Sequence, residues 1–230
     1  MSNLYPGYPF TQRGCPLLGL YPAPGMRYTI NKYRILGGIT MNSEKIILDI
    51  IIDVQKDFIT GALANTAAQA NVGHLAATAK AHAEAGHWMF FTRDTHEDNY
   101  LETREGRSLP VEHCVEGTDG WNLAPELETA MADTNPPVCR IVDKPTFGSY
   151  MLPSDILDEL MAHNLAVTDI EKFVLYGYCT DICVISNAMV LRAAFPETQI
   201  EILSDCCAGV TPQSHQTALD AMRACQFTIL

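Results

Sequence analysis

Positive charge is scarce in this sequence. Its 230 residues include 15 lysines and arginines against 27 aspartates and glutamates, so the formal net charge is −12. Binding to nucleic acid depends on clustered basic side chains that neutralise phosphates. We therefore expect no nucleic-acid partner.

Long apolar segments are missing as well. The longest run, "IILDIII" at 46–52, is interrupted by Asp49 and is far shorter than the roughly 20 residues that span a bilayer. Near the start, "CPLLGLYPAPG" is broken by prolines, unlike the continuous apolar core of a signal peptide. The sequence therefore predicts a cytoplasmic protein with no membrane partner.

The first 43 residues contain no acidic residue. They are rich in proline, glycine and tyrosine, as in "LYPGYPF" and "LYPAPGM", whereas the rest has the composition of a globular protein. We predict an N-terminal extension at 1–43, either poorly ordered or an arm on a neighbouring subunit, and a folded domain at 44–230. In an alternative interpretation the natural chain starts at Met41 and residues 1–40 follow from an upstream start.

Several catalytic signatures are absent too. The sequence contains no G-x-S-x-G, H-E-x-x-H, G-x-x-x-x-G-K or G-x-G-x-x-G motif, which excludes the usual serine-hydrolase, zinc-protease and nucleotide-binding patterns. The 8 cysteines accompany no export signal, so we expect reduced thiols and no disulfide framework.

What the sequence does contain is an alternation of apolar, β-rich runs with helix-like segments. The runs are "IILDIIID", "HWMFFT", "VCRIVD", "KFVLYG", "QIEILS" and "FTIL". The helix-like segments cover 62–85, 153–163, 181–194 and 212–224. This pattern predicts an α/β fold with a parallel sheet covered on both faces. Because Asp49 interrupts the first run, we expect the ordered strand to begin near Ile50, with Asp49 at its exposed entrance.

Chemically capable side chains follow the ends of the predicted strands. Asp53 follows the first, Asp94 and His96 the second, Lys144 the third, and "GYCTDIC" the fourth. Ligands of open α/β sheets bind outside the carboxyl ends of the strands. We therefore expect these residues to converge at one edge of the sheet.

The stretch "GYCTDICV" at 177–184 contains two cysteines separated by three residues. A structural zinc site needs two further ligands, and a disulfide is disfavoured in a reducing compartment. Cys183 falls in the first turn of the predicted helix, for which Thr180 or Asp181 is a natural N-cap. A helix N-terminus favours a thiolate and can hold an oxyanion, so we favour a nucleophile.

Taken together, "IIIDVQKDFITGALA", "TRDTH", "LPVEHCVEGTDGW", "VDKPTFGSY" and "GYCTDICVISNAMVLRAA" resemble the isochorismatase-like cysteine hydrolases, a family that includes nicotinamidases. The resemblance covers residues 44–230. It implies a doubly wound three-layer sandwich whose mostly parallel six-stranded sheet has the Rossmann-like order 3-2-1-4-5-6. It also implies a homo-oligomer.

The resemblance implies a catalytic triad of Asp53, Lys144 and Cys183. Asp53 takes the thiol proton, Cys183 attacks an amide carbonyl to form a thioester, and Lys144 stabilises the charged pair. The family pattern places a cis peptide bond between Tyr178 and Cys179. The backbone N–H groups of Cys179 and Cys183 then form the oxyanion hole.

A metal site is implied by the same resemblance. Its ligands are Asp94, His96, Glu105 and His113, with Glu102 as the alternative to Glu105. These ligand types suit a divalent ion, zinc first, with iron and manganese as alternatives. Because relatives without metal exist, these residues could instead only cap and solvate their loop.

The substrate expected from the resemblance is nicotinamide or a similar small amide. Nicotinamidases often carry an aromatic residue at the position of Pro110, so the stacking surface must come from elsewhere. Phe58, Phe147 and Tyr178 are the candidates. Two alternatives stay open: hydrolysis of a carbamoyl or ureido compound by the same triad, and a non-catalytic small-molecule binding protein.

Overall fold

The computed structural model describes residues 35–36, 39–40 and 45–230. The chain divides into two units, Met1–Ser43 and Glu44–Leu230. In the first unit, strands β1 (Ile35–Leu36) and β2 (Ile39–Thr40) pair in antiparallel fashion. The predicted extension at 1–43 otherwise lies outside the described residues, as does the alternative start at Met41, and both stay predictions.

The second unit is built on a six-stranded sheet in which every pair of neighbouring strands is parallel. Its strands are β3 (Ile46–Ile52), β4 (Trp88–Asp94), β5 (Cys139–Lys144), β6 (Ile170–Tyr178), β7 (Gln199–Ala208) and β8 (Thr228–Ile229). Their order across the sheet is β5-β4-β3-β6-β7-β8. Numbered from the first strand of the sheet, this is 3-2-1-4-5-6, so the predicted α/β fold is confirmed.

The helices of this unit alternate with the strands. They are α1 (Lys56–Ile59), α2 (Thr66–Glu84), α3 (Arg104–Ser108), α4 (Pro125–Met131), α5 (Leu152–Ala162), α6 (Ile185–Ala194) and α7 (Pro212–Ala224). The four longer helices correspond to the predicted segments, whereas the short α1, α3 and α4 are too brief to give a periodic signal. Within the described ranges, no helix combines the length and apolar character needed to cross a bilayer.

The central strands are buried on both faces. Every residue of β3 from Leu48 to Ile52 is buried, and successive side chains of a strand point to opposite faces. Phe90 of β4 and Phe173 of β6 are fully enclosed beside them. Burying an apolar side chain of this size stabilises the fold by about 1.5–3 kcal/mol, so the sheet is a rigid base for the residues at its carboxyl edge.

Asp49 is part of this buried strand. It is fully enclosed, although we expected it at an exposed strand entrance. Its carboxylate accepts hydrogen bonds from His82 Nδ1 at 2.6 Å, His87 Nδ1 at 2.7 Å and Tyr176 Oη at 2.6 Å. The prediction was wrong because these partners, which make a buried carboxylate tolerable, come from distant parts of the sequence. We call these four residues the core cluster.

Candidate active site

Four chemically capable side chains meet at the carboxyl edge of the sheet. Asp53 directly follows β3, Asp94 and Lys144 are the last residues of β4 and β5, and Cys183 lies in the turn after β6. Each side chain is nearly inaccessible to solvent. The fold therefore brings together groups that are far apart in the sequence.

The ammonium group of Lys144 lies at the centre of this arrangement. Its Nζ atom is 2.6 Å from Oδ2 of Asp53, 3.4 Å from Oδ1 of Asp94 and 3.7 Å from Sγ of Cys183. One cation is thus shared by two carboxylates and a thiol. Without it, two buried carboxylates could not remain ionised side by side.

Burial and neighbouring groups of opposite charge act in opposite directions on the pKa values of these groups. Burial raises the pKa of Asp53 and, together with the nearby carboxylates, the pKa of the Cys183 thiol, although Lys144 opposes both shifts. Burial lowers the pKa of Lys144, but attraction to Asp53 and Cys183 more than offsets this and the pKa is raised overall. The resting site therefore holds a neutral thiol beside a permanent ammonium group.

Asp53 is held in an unusual backbone conformation. Its φ angle of 49° lies in the left-handed region, which residues other than glycine rarely adopt. Thr92 of the neighbouring strand supports it, because the Thr92 hydroxyl donates to Oδ1 of Asp53 at 2.6 Å. The backbone N–H of Asp53 also donates to the carbonyl of Thr92 at 3.1 Å. Sequence reasoning missed Thr92, a polar residue hidden inside an apolar strand.

Gln55 fixes the end of β4 in a similar way. Its side-chain oxygen accepts from the N–H of Asp94 at 2.7 Å, and its Nε2 donates to the carbonyl of Asp94 at 2.9 Å. The same Nε2 also donates to the carbonyl of Trp121 at 2.9 Å. The fully buried Gln55 therefore joins three segments of the site, which gives the "DVQKD" block a structural purpose.

The turn that carries Cys183 differs from the predicted one. Residues Thr180–Val184 form a π-helical turn, and α6 begins only at Ile185. Cys183 therefore precedes the α-helix and does not lie in its first turn, because the chain forms one wider turn before regular helical geometry starts. The peptide bond between Tyr178 and Cys179 is cis, and both cysteines of this stretch are free thiols.

Gly177, just before this turn, is required by its surroundings. Its φ angle of 132° lies in a region that other residues avoid, and a Cβ atom there would lie 2.0 Å from the carbonyl oxygen of Ile52. The strand that leads into the turn with Cys183 and the strand that leads into Asp53 therefore approach closely at this glycine.

Beside Lys144, Asp94 belongs to a second group of polar side chains, which we call the ligand cluster. Its members are Asp94, His96, Glu105 and His113. Each offers one oxygen or nitrogen atom, and these four atoms all lie within 4.8 Å of one another. Oδ2 of Asp94 is 3.0 Å from Nε2 of His96 and 3.5 Å from Nε2 of His113. Oε1 of Glu105 is 3.7 and 4.0 Å from the same two nitrogens.

The ligand cluster fits a divalent metal ion. Two ligands on one tetrahedral zinc ion lie about 3.3 Å apart, given metal–ligand bonds of about 2.0–2.1 Å, and the observed separations scatter around this spacing. Within residues 45–230, the buried Oε1 of Glu105 has no hydrogen-bond partner. His113 donates from Nδ1 to the carbonyl of Val111 at 2.8 Å, which leaves Nε2 available as a ligand. Glu102, the alternative to Glu105, is exposed and outside the cluster.

Neighbouring charges keep Asp94 ionised. Burial raises the pKa of this carboxylate, but the Lys144 ammonium and hydrogen bonds with His113 and His96 hold it well below its usual range. Burial and the Asp94 charge together raise the pKa of Glu105. A cation between these groups would relieve the repulsion of the two carboxylates.

An aromatic residue that sequence reasoning missed packs against the two histidines of the ligand cluster. The buried ring of Tyr100 lies 4.6 Å from the ring of His96 and 4.9 Å from that of His113. Its hydroxyl donates to the carbonyl of Leu109 at 3.0 Å. The residue begins a single 3-10 turn, Tyr100–Glu102, which is too short for a periodic pattern to mark it as buried.

A cavity of about 700 Å³ opens onto both groups. Cys183, Asp94, Glu105 and His113 line it together with the apolar residues Phe58, Leu63, Leu109, Phe147, Ile182 and Val210. Two of the predicted aromatic walls, Phe58 and Phe147, are therefore lining residues. Tyr178 is not a wall of this cavity, because its ring is fully buried and its hydroxyl donates to Oδ1 of Asn71 at 2.5 Å.

Fold and site together define a class of protein: a doubly wound α/β domain with a buried cysteine, lysine and aspartate beside a carboxylate–imidazole cluster. A family profile described as Isochorismatase domain matches residues 48–230. The chain belongs to this family, and the resemblance noted in the sequence is confirmed.

Individual proteins are similar to this chain in sequence or in structure. The nicotinamidase/pyrazinamidase of Mycobacterium tuberculosis is 25% identical over 187 residues, which cover 79% of this chain and 96% of the relative. The crystal structure of a pyrazinamidase/nicotinamidase from Streptococcus mutans has a TM-score of 0.66 and 26% identity, covering 80% of this chain and 99% of that one. The pyrazinamidase of Pyrococcus horikoshii, solved in complex with zinc, has a TM-score of 0.62 and 22% identity, and the match covers 80% of this chain and 98% of that one.

Proposed function

We propose that this chain is a nicotinamidase-like cysteine hydrolase that cleaves a small uncharged amide to a carboxylic acid and ammonia. The observation that carries the proposal is the single ammonium group of Lys144, in contact with both the carboxylate of Asp53 and the thiol of Cys183. Membership of the isochorismatase family and the relatives named nicotinamidase/pyrazinamidase support it.

Acylation begins with proton transfer from Cys183 to Asp53, whose raised pKa makes it an effective acceptor. Sγ of Cys183 then forms a bond to the carbonyl carbon of the amide. The carbon–nitrogen bond breaks, and the nitrogen takes the proton from Asp53 and leaves as ammonia. A thioester remains on Cys183.

Hydrolysis of the thioester uses the same groups in reverse. Asp53 removes a proton from water, the hydroxide adds to the carbonyl carbon, and the carbon–sulfur bond breaks. The proton returns to the sulfur and the acid departs. Lys144 remains an ammonium group throughout and stabilises the negative charge as it moves between Asp53 and Cys183. The backbone N–H groups of Cys179 and Cys183 are the proposed donors to the oxyanion.

We also propose that Asp94, His96, Glu105 and His113 hold a divalent ion, zinc in the first instance, with iron and manganese as alternatives. The unpartnered oxygen of Glu105 and the ion-sized spacing of the cluster support this, as does the zinc complex of the Pyrococcus horikoshii pyrazinamidase. When bound, the ion supplies Lewis-acid coordination to a lone pair of the substrate or of water. Phe58 and Phe147 are the proposed walls against an aromatic substrate.

The lining of the cavity favours an uncharged substrate. Among the described residues that line the cavity there is no lysine or arginine, and the charged ones belong to the ligand cluster. A carboxylate at the far end of a substrate would find no basic side chain to pair with among these lining residues. Carbamoyl amino acids are therefore the weaker alternative, and the intact triad argues against a non-catalytic binding protein. A homo-oligomer stays a prediction.

The test is ammonia release from nicotinamide, pyrazinamide, N-carbamoylsarcosine and a simple ureido compound. We expect the wild-type protein to act on one of the first two, and the Cys183→Ala variant to release no ammonia above background while keeping its melting temperature. Cys179→Ala is the matched control, because Cys179 also lines the cavity, and it should retain most of the activity. Turnover by Cys183→Ala would refute the assignment of the nucleophile.

A further inference from the structure

Asn187 links two segments of the site. One is the turn Thr180–Val184, which carries Cys183 and which we call the nucleophile turn, and the other is the loop after β5. Asn187 itself belongs to α6 and is fully buried. Its Nδ2 donates to the carbonyl of Cys183 at 2.8 Å and to the carbonyl of Phe147 at 3.0 Å. Its Oδ1 accepts from the N–H of Ser149 at 2.9 Å. One side chain therefore satisfies three backbone groups from two separate segments.

The two segments also approach each other closely beside Asn187. A Cβ atom at Gly148 would lie 3.1 Å from the backbone carbonyl of Ser186, which is tighter than an ordinary van der Waals contact. The loop starts just beyond Lys144 and carries Phe147, whose ring is partly exposed and lines the cavity. The position of Phe147 relative to Cys183 therefore depends on how this loop is held against α6.

An asparagine suits this place for a chemical reason. A primary amide offers two donors and one acceptor oxygen, and here it faces two carbonyl oxygens and one N–H group. An aspartate would present only acceptors to the two carbonyls, and a leucine would leave all three backbone groups without this partner. Both changes preserve the approximate volume of the side chain, so they separate hydrogen bonding from packing.

We propose that Asn187 is a positioning residue that holds the aromatic wall formed by Phe147 at a set distance from the nucleophile Cys183. It acts through the backbone of the loop and of the nucleophile turn and does not touch the substrate. Asn187 thereby adapts the site to planar aromatic amides, which need a fixed surface to stack on. This inference rests on the proposed function, in which Cys183 attacks an amide.

The first test compares Asn187→Leu and Asn187→Asp with the wild-type protein on nicotinamide and on acetamide. Losing a buried hydrogen-bond partner typically costs about tenfold in an equilibrium. We expect KM for nicotinamide to rise by about that factor in both variants, and KM for acetamide, which has no ring to stack, to change by less than about twofold. KM is the informative quantity because it does not depend on the folded fraction of the sample.

Ser149→Ala is the matched control. The hydroxyl of Ser149 accepts from the N–H of Leu152 at 3.2 Å, whereas the link to Asn187 uses the backbone N–H of Ser149. This variant should lower the melting temperature and leave KM for nicotinamide unchanged. If the Asn187 variants also lower only the melting temperature, the residue is structural and the proposal is wrong.

A second readout does not require turnover. Cys183 is alkylated with iodoacetamide and with N-benzyl iodoacetamide, and the modified peptide is quantified by mass spectrometry. Asn187→Leu should reduce the preference for the benzyl reagent by about the same tenfold factor, as should Phe147→Ala. An unchanged preference in Asn187→Leu would overturn the proposal. Failure of the wild-type protein to hydrolyse any amide, by contrast, would contradict the proposed function and leave the alkylation result valid.

Discussion

The ligand cluster and the core cluster both combine carboxylate and imidazole groups, but they differ in how closely these groups are hydrogen-bonded to one another. In the core cluster both oxygens of Asp49 accept hydrogen bonds, from His82, His87 and Tyr176, at 2.6–2.7 Å. In the ligand cluster the separations between carboxylate oxygens and imidazole nitrogens run from 3.0 to 4.0 Å. In the core cluster every donor is close to the carboxylate, which leaves no room for an ion. In the ligand cluster one pair, His96 and Asp94, lies at 3.0 Å, and the wider spacing of the other pairs matches ligands around an ion.

The difference teaches how composition alone can mislead. A search for carboxylates and imidazoles finds both clusters within residues 45–230, but of these two only the ligand cluster has a buried oxygen without a hydrogen-bond partner. An unsatisfied buried group reduces stability and marks a functional site, whereas a fully satisfied one contributes to stability. We therefore expect changes in the ligand cluster to affect activity and changes in the core cluster to affect folding.

The largest expected effect separates the two clusters by metal binding. His96→Ala should lower amide turnover and zinc affinity by at least about 100-fold, since altering even the outer partners of metal ligands costs about 10–100-fold. His82→Ala should keep both near wild-type values. The measurement is zinc content and ammonia release after chelation and stepwise return of zinc. Equal losses in the two variants would remove the distinction between the clusters.

The second effect concerns stability. Asp49→Ala leaves three donors without their shared acceptor, and breaking a buried charged network typically costs about 3–5 kcal/mol of unfolding free energy. In the metal-free protein, Glu105→Gln should change the unfolding free energy by less than about 1 kcal/mol, because Oε1 of Glu105 makes no hydrogen bond. Urea titrations in the presence of a chelator measure both. A large loss in Glu105→Gln would mean that the carboxylate has a structural role.

A third, smaller effect is a dependence of stability on pH. Hydrogen bonding to Asp49 raises the pKa of His82 above the ordinary value of 6.5. Stability from this pair is therefore complete below pH 6.5 and is lost as pH rises through the raised pKa of the folded state. Melting temperatures of the wild-type protein should fall more steeply above pH 6.5 than those of Asp49→Asn.

Other groups around this pair set the limits of that window. Burial raises the pKa of Asp49, but its hydrogen bonds with His82 and His87 outweigh burial and lower it below 3.8. Its contribution is therefore present above pH 3.8 and lost as pH falls through the lowered value. The pair also interacts electrostatically with Lys172, Tyr176 and Cys206. Parallel melting curves for wild type and Asp49→Asn across the neutral range would show that the pair does not titrate there.

The smallest effect is expected for Tyr176→Phe. This change removes one of three donors to Asp49, so the unfolding free energy should drop by about 1 kcal/mol and turnover should stay near the wild-type value. Tyr178→Phe is the matched control, because Tyr178 is equally buried on the same strand but donates to Asn71. If Tyr176→Phe lost activity and kept its stability, the core cluster would have to be linked to the site.

Much of the site can be predicted from the sequence because its residues lie at or directly after the ends of strands. Asp53, Asp94 and Lys144 come at the ends of apolar runs, and parallel strands bring such positions to one edge. Thr92 and Asn187 gave no such signal. Each lies inside a regular element and is recognised only through hydrogen bonds to distant segments, as in the contact of Asn187 with Phe147.

The sequence by itself determined the order of strands and helices, the family, and which reactive side chains stand at the carboxyl edge of the sheet, because hydrophobic periodicity and chain direction are local properties. Only the tertiary structure decided which partners those and other polar groups meet. Asp49 accepts hydrogen bonds from His82 and from Tyr176, 33 and 127 residues away, and Tyr178 is fully buried outside the lining of the cavity. Such pairings depend on how packed elements approach each other, and the distances involved exceed the range of any local pattern.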